Sequence, residues 1–281
     1  MPLVSIVPEL KKARSQGYAI ALFDLFELSG CEDLYAAAEN KQAPIIAGMY
    51  NTTADRPVSY ALAACHQALA QKAPGPVSLM LDHGSSLKQC LQAMELGFTD
   101  VMFDGSTLSL EENIALTRQL VTAAHARGVG VEAELGHVGT GNEYAEFGGA
   151  GKGFTDPDQV ELFVKVTGVD MLAIAVGTAH GTYQGTPRLD LELLARIRER
   201  TDVPLVLHGG TGLSEDQFRA AIKTGIAKIN IATDLVKSSG TNMAQAAKES
   251  DSFYKITQAL HATIRERCEY YLDLFGASGQ A

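Results

Sequence analysis

The chain has 281 residues, 46% of them apolar and 20% charged, with 27 Gly and 9 Pro; this composition suits one large α/β domain and excludes a largely disordered chain. Lys and Arg total 23 against 33 Asp and Glu, a net charge of −10, so nucleic acids and anionic membranes would meet a repulsive field and are set aside as partners. No run is long enough for a membrane span, and MPLVSIVPELKKARSQG places its basic residues after its apolar ones, the reverse of a signal peptide, so a soluble cytoplasmic protein is expected.

The first 16 residues read as a helix covering the bottom of whatever follows. Eight β-like runs then begin at Tyr18, Ala43, Pro76, Thr99, Val129, Val169, Val203 and Ala227. Most are apolar on both faces, as buried parallel strands are. Helix-like stretches alternate with them, several opening at Ser86, Ser109, Asp156 or Ser214 and closing at Gly, the punctuation of capped helices. The alternation predicts a (β/α)8 barrel occupying residues 1–281 as a single domain, with a doubly wound open sheet as the alternative. After Asp234 the chain reads as helical and ends in a polar tail, GASGQA. Between His137 and Asp156 lies a long Gly-rich connection that reads as a lid. Cys31, Cys65, Cys90 and Cys268 form no CxxC pair, which suits a reducing compartment and structural burial.

In such a barrel the chemistry sits at the carboxyl ends of the strands. Strand three ends in Asp82-His83-Gly84, strand six in Gly177-Thr178-Ala179-His180-Gly181 and strand seven in His208-Gly209-Gly210-Thr211-Gly212; strand five carries Glu132 and Glu134. Three imidazoles from three strand ends make a catalytic site for a divalent metal, most simply Zn²⁺. His66, His125 and His261 fall in helix-like stretches and read as surface or packing residues, while His137 opens the lid. Gly209 to Gly212, before a helix starting near Ser214, form an anion site from backbone N–H groups, with Asn230 and Thr233 of strand eight beside it. That pairing is where many barrels hold phosphate.

Taken together, LDHG, DGS followed by LSLEENI, EAELGHVG, GTAHGTY, VLHGGTG and KINIAT resemble the class II, metal-dependent ketose-bisphosphate aldolases, from about Tyr18 to Thr233. The resemblance implies that His83, His180 and His208 hold catalytic Zn²⁺ or another divalent ion, that Asp82 protonates the aldehyde oxygen, and that Glu134 serves a second or alternative metal position. It further implies that Gly181, Gly209, Thr211, Asn230 and Thr233 cradle the phosphate of dihydroxyacetone phosphate, that Asp104 and Ser106 support the metal site, and that a monovalent cation is a possible further ligand. A homodimer or homotetramer is implied as well.

The chain departs from the family pattern on the aldehyde side. Phe23-Asp24-Leu25-Phe26-Glu27 stands where FNxxN is common, Ala47-Gly48-Met49-Tyr50 where Gln and Ser are common, and Thr107 where His is frequent. The usual acidic pair of the lid is absent, leaving Glu143, or else Glu146, for proton abstraction. Asp24 would repel a second phosphate or hydrogen-bond sugar hydroxyls, and Arg188 is a candidate for a distal anion. The expected activity is cleavage of a ketose 1-phosphate or 1,6-bisphosphate to dihydroxyacetone phosphate and a non-standard aldehyde. A sugar-phosphate isomerase or epimerase and a non-catalytic sugar-phosphate-binding protein are the alternatives. Schiff-base chemistry is disfavoured, because the nearest lysine, Lys228, reads as packing or outward-facing.

Overall fold

A computed structural model describes residues 3–149, 151–183 and 185–281. The strands are β1 (Ile20–Asp24), β2 (Ile45–Tyr50), β3 (Val77–Gly84), β4 (Asp100–Phe103), β5 (Gly130–Leu135), β6 (Met171–Ile174), β7 (Leu205–Leu207) and β8 (Ile226–Ile231). All neighbours are parallel, and β8 closes on β1 through Leu22 opposite Asn230, giving a closed barrel in sequence order. Closure excludes the open doubly wound sheet.

Around the strands lie α1 (Val7–Gln16), α2 (Cys31–Lys41), α3 (Asn51–Ala54), α4 (Val58–Ala70), α5 (Leu87–Glu95), α6 (Leu110–His125), α7 (Pro157–Thr167), α8 (Leu191–Glu199), α9 (Glu215–Thr224), α10 (Thr233–Glu249) and α11 (Phe253–Leu274). The caps read from sequence are formed: Ser86, Ser109, Asp156 and Ser214 accept backbone N–H groups of α5, α6, α7 and α9, and Asp190 caps α8. Each offsets one of the donors that a helix start leaves unpaired. Below the barrel, Ser5 Oγ and Ile6 N donate to the buried Asp100 carboxyl at 2.7 and 2.9 Å, which pins the start of α1 under β4.

The polar tail GASGQA is docked: Gly279 N donates to Lys41 O and Ala281 N to Gln42 O, both at 2.9 Å, so it pairs with the end of α2. One expectation needs revision. Strand six stops at Ile174, six residues short of His180. At Gly177 the chain turns with φ +109°, where a Cβ would sit 2.2 Å from Arg188 O, and only glycine fits.

Candidate functional site

Adjacent residues of a strand face opposite sides, yet both Asp82 and His83 reach the barrel mouth. The break in alternation has a local cause. His83 adopts φ +52°, rare for a residue with a Cβ, at a register shift between β3 and β4. Asn51 Nδ2 donates to His83 O at 2.6 Å and holds that carbonyl. Such strain persists where the surrounding structure over-determines it.

His83, His180 and His208 come together there, each offering one nitrogen within 4.8 Å of the others. Every ring is oriented by an acceptor on its far nitrogen. Asp104 Oδ2 lies 2.8 Å from His83 Nδ1, Val138 O 3.0 Å from His180 Nδ1, and Glu132 Oε1 2.9 Å from His208 Nε2. The nitrogens left over converge: His83 Nε2 and His208 Nδ1 are 2.8 Å apart, and His180 Nε2 is buried without a hydrogen-bond partner. Three imidazoles with their near nitrogens bare and their far nitrogens held are the donor set for a divalent cation.

The surrounding charge points the same way. Burial lowers His83, but Asp82 and the Asp104 hydrogen bond outweigh it and raise the ring to about 10. Burial and the neighbouring imidazoles push His180 down to about 3, and His208 is lowered for the same reasons. Acids crowded this closely favour positive charge at this point. Asp104 is itself held far below the ordinary range, because the His83 contact and bonds from Ser106 overcome its burial. A second group, His83, Asp104 and Glu134, also brings its donor atoms within 4.8 Å of one another. Glu134 accepts from Val138 N at 3.1 Å, its Oε2 is buried without a hydrogen-bond partner, and burial followed by Asp104 pushes it up to about 8. Both groups fit metal, and Glu134 belongs to the second.

Beside the histidines a cavity of about 350 Å³ opens, lined by Asp24, Phe26, Tyr50, Thr52, Asp82, Gly181, Gly209, Thr211, Asn230 and Thr233 among others. Among its described lining residues there is no Lys or Arg. Gly181 has φ +84° with open space where a Cβ would point, whereas at Gly209 a Cβ would meet Ala179 O at 2.4 Å. The helix start that faces this cavity differs from the one expected. Ser214 and Gln217 close a capping box on α9, pairing two of its free donors, and neither residue lines the cavity. The start of α10 has no side-chain cap, and Ala232 and Thr233 line the cavity. An uncapped helix start of this kind favours an anion.

Asn230 is more committed than expected of a phosphate ligand. Its Oδ1 accepts from Lys228 Nζ and its Nδ2 donates to Asp82 Oδ1, both at 2.7 Å. Asp24 is buried beside Asp82, with room for it made by Gly48, where a Cβ would lie 2.6 Å from Asp24 Oδ1. Glu143 does not line the cavity; Thr140 N and Oγ1 donate to its carboxylate at 2.9 and 2.7 Å and hold it below the ordinary range. Glu146 pairs with Lys152. His137 faces Ser106 Oγ at 3.0 Å and is not among the three converging histidines, and Arg188 lines a separate groove with Asp216. Ala150, within the Gly-rich connection, lies outside the described residues.

Sequence reasoning left Lys228 and Glu132 out of the site, and of its two readings of Lys228, packing or outward-facing, the outward one does not hold. Lys228 points into the barrel, fully buried, with Nζ 2.9 Å from Glu132 Oε2. The signal was present in the alternation: Lys228 shares a face with Asn230, and Glu132 with Glu134.

A family model for class II fructose-bisphosphate aldolase matches residues 4–280. The chain is 37% identical over 273 residues to the uncharacterized protein YdjI of Escherichia coli K12, covering 96% of each. The crystal structure of that YdjI aldolase superposes with a TM-score of 0.89 at 33% identity, covering 99% of both chains. A 6-phospho-5-dehydro-2-deoxy-D-gluconate aldolase of Bacillus licheniformis is 37% identical over 290 residues, covering 100% of this chain and 97% of the relative. A fructose-bisphosphate aldolase of Geobacillus stearothermophilus is 40% identical over 243 residues, covering 83% of this chain and 82% of the relative.

Proposed function

This chain belongs to the class II fructose-bisphosphate aldolase family and is an aldolase, and from that premise we propose that it cleaves a ketose 1-phosphate or 1,6-bisphosphate, by a zinc-dependent reaction, to dihydroxyacetone phosphate and an aldehyde other than glyceraldehyde 3-phosphate. The observation that carries the reading is the convergence of His83, His180 and His208 beside Asp82 on a cavity that also holds Gly181, Gly209 and the uncapped start of α10.

His83, His180 and His208 would hold the divalent ion, zinc by the preference of imidazole donors, and Glu134 would serve an alternative position. When bound, such an ion supplies Lewis-acid polarisation of the substrate ketone. The chain's own groups do the rest. Backbone N–H groups around Gly181, Gly209 and Thr211, with the start of α10 at Thr233 and the second amide hydrogen of Asn230, bind the phosphate without a basic side chain. In the cleavage direction the Asp82 carboxylate takes the hydroxyl proton on the departing carbon. The C–C bond then breaks, and its electron pair stays with the ketone fragment. In the synthetic direction Asp82 returns that proton to the aldehyde oxygen. Asn230 fixes Asp82 for this transfer. We assign proton abstraction from the three-carbon fragment to Glu143, which requires its cap on Thr140 to open.

On the aldehyde side, Asp24, Phe26, Tyr50 and Thr52 with no basic side chain support an uncharged, hydroxyl-bearing fragment. The two named relatives carry names for different phosphorylated substrates, so the family tolerates variation in what it cleaves. A cytoplasmic homodimer or homotetramer, with a monovalent cation as a further ligand, goes with this reading.

The test is a coupled assay for dihydroxyacetone phosphate release from a panel of ketose 1-phosphates and 1,6-bisphosphates, on protein of measured metal content, with and without chelator. Chelator-sensitive release, faster from monophosphates, is expected. Silence across the panel with metal bound would overturn the substrate class; absence of bound metal would overturn the three-histidine site.

A further inference from the structure

Lys228 is fully buried, as is its counter-charge Glu132. Its Nζ sits 2.7 Å from Asn230 Oδ1 and 2.9 Å from Glu132 Oε2, the latter an ion pair off hydrogen-bond geometry. Each partner then touches the reaction machinery: Glu132 Oε1 meets His208 Nε2 at 2.9 Å, and Asn230 Nδ2 meets Asp82 Oδ1 at 2.7 Å. A continuous chain therefore runs from His208 through Glu132, Lys228 and Asn230 to Asp82.

The donor inventory of that chain leaves one arrangement. An ammonium has only donors, so Asn230 must turn its carbonyl oxygen to Lys228 and its NH₂ to Asp82. A carboxylate has only acceptors, so His208 must carry its hydrogen on Nε2, toward Glu132, and leave Nδ1 bare toward His83. We infer that Lys228 is a positioning residue for the aldol reaction: one ammonium sets both the amide orientation that holds Asp82 and, through Glu132, the tautomer that makes His208 a metal ligand. The inference rests on the roles proposed above for His208 and Asp82. It gives Lys228 two effects that separate experimentally, whereas a lysine serving only to neutralise a buried acid would have one.

In Lys228→Met, Asn230 Oδ1 loses its donor and the amide is free to turn its oxygen against Asp82. Glu132 loses the ammonium that holds its carboxylate in place, so its grip on the His208 Nε2 hydrogen, and with it the orientation of the ring, is no longer fixed. Glu132→Gln instead places an amide NH₂ against the ammonium, donor against donor. Both changes weaken metal binding, by roughly 10–100-fold for a disturbed ligand partner. In the double variant Lys228→Met/Glu132→Gln the opposition is gone, so the amide oxygen again accepts from His208, but Asn230 still lacks its lysine.

The experiment measures zinc affinity of the metal-stripped protein by competition with a chromophoric chelator, and kcat and KM at saturating zinc. Lys228→Met is expected to lose about tenfold or more in zinc affinity and in kcat, with KM changed only a few-fold. The double variant is expected to regain zinc affinity to within a few-fold of wild type while kcat stays low. Restored packing alone would restore both, so that split is the signature. Wild-type kcat in Lys228→Met or in the double variant overturns the inference, as does a double variant whose affinity loss is the product of the single losses. If Lys228→Met does not fold, the neutral double variant compared with wild type carries both readouts. Wild-type protein that neither binds zinc nor shows chelator-sensitive release overturns the aldolase reading and this inference with it.

Discussion

The carboxyl group of Asp24 is buried beside that of Asp82 at the mouth of the barrel, two acids that their surroundings push in opposite directions. Burial and the charge of Asp82 push Asp24 well above the ordinary range. Burial raises Asp82 too, but His83, His208 and Lys228 outweigh it and leave Asp82 below that range. Asp24 is therefore the acid that keeps its proton and can donate to Asp82, the part an asparagine amide plays with no proton to lose. Asp24→Asn is expected to keep kcat within a few-fold, whereas Asp24→Ala removes a donor to a charged group and lowers kcat by roughly tenfold or more. Steady-state kinetics on both decide it, and equal impairment would remove the donor role.

Asp82 itself is expected to matter to turnover and not to metal. Asp82→Asn should lower kcat by about 10²–10⁴-fold, the usual worth of a positioned acid or base, at unchanged bound metal per chain. Elemental analysis alongside the assay separates the two. A loss of metal in step with activity would make Asp82 a support for the ligand set.

The strands, most of the capped helices and the three histidines were legible in the sequence because each depends on local rules: apolar runs, capping residues, and polar residues at strand ends. What was not legible depends on the closed barrel. Lys228 looked like a packing residue because nothing in KINIAT says that Glu132 stands across the interior to receive it. Similarly, which helix start meets the cavity is decided by the closed barrel, which brings Ala232 and Thr233 to the cavity wall and leaves Ser214 off it. The backbone turn at His83 is a third case, because a positive φ at a residue with a Cβ has no sequence signature.

Stripping the metal should cost stability as well as activity. Free zinc at 100 times its dissociation constant stabilises the folded chain by about 2.7 kcal/mol, so chelator should lower the thermal midpoint and added zinc restore it. His208→Ala should abolish the zinc-dependent shift. A midpoint indifferent to zinc in the wild-type chain would argue against a preformed site.

The two glycines beside the histidines should respond differently to a methyl group. Gly181→Ala meets open space, so its cost is the left-handed backbone alone, roughly 1–2 kcal/mol. Its methyl group is then expected to raise KM for the phosphorylated substrate. Gly209→Ala would force a Cβ to within 2.4 Å of Ala179 O, in addition to the same strain, and should be markedly less stable in denaturant titration. Equal stability of the two variants would count against the close approach.

His66, buried between Cys31 and Tyr35, offers a stability prediction remote from the histidine cluster. Burial lowers it to about 4. Between its unfolded value near 6.5 and about 4 the unfolded chain binds the extra proton, so the contribution is complete above pH 6.5 and lost as pH falls toward 4. The loss is worth roughly 3 kcal/mol. Chemical denaturation from pH 7 to 4 should show His66→Leu with a shallower slope than wild type; parallel slopes would remove the assignment.

His180 is stitched to the Gly-rich connection before the ring does anything. Its N–H donates to Gly139 O at 2.8 Å, its carbonyl accepts from Gly141 N at 2.6 Å, and its Nδ1 meets Val138 O at 3.0 Å. A rearrangement that lifts residues 138–141 must release both the backbone and the ring of the histidine proposed as a metal ligand. Swing of the loop and escape of the ion are thereby geared together, so stiffening the loop should lengthen the residence time of the metal, and a slow-exchanging ion would report a slow loop.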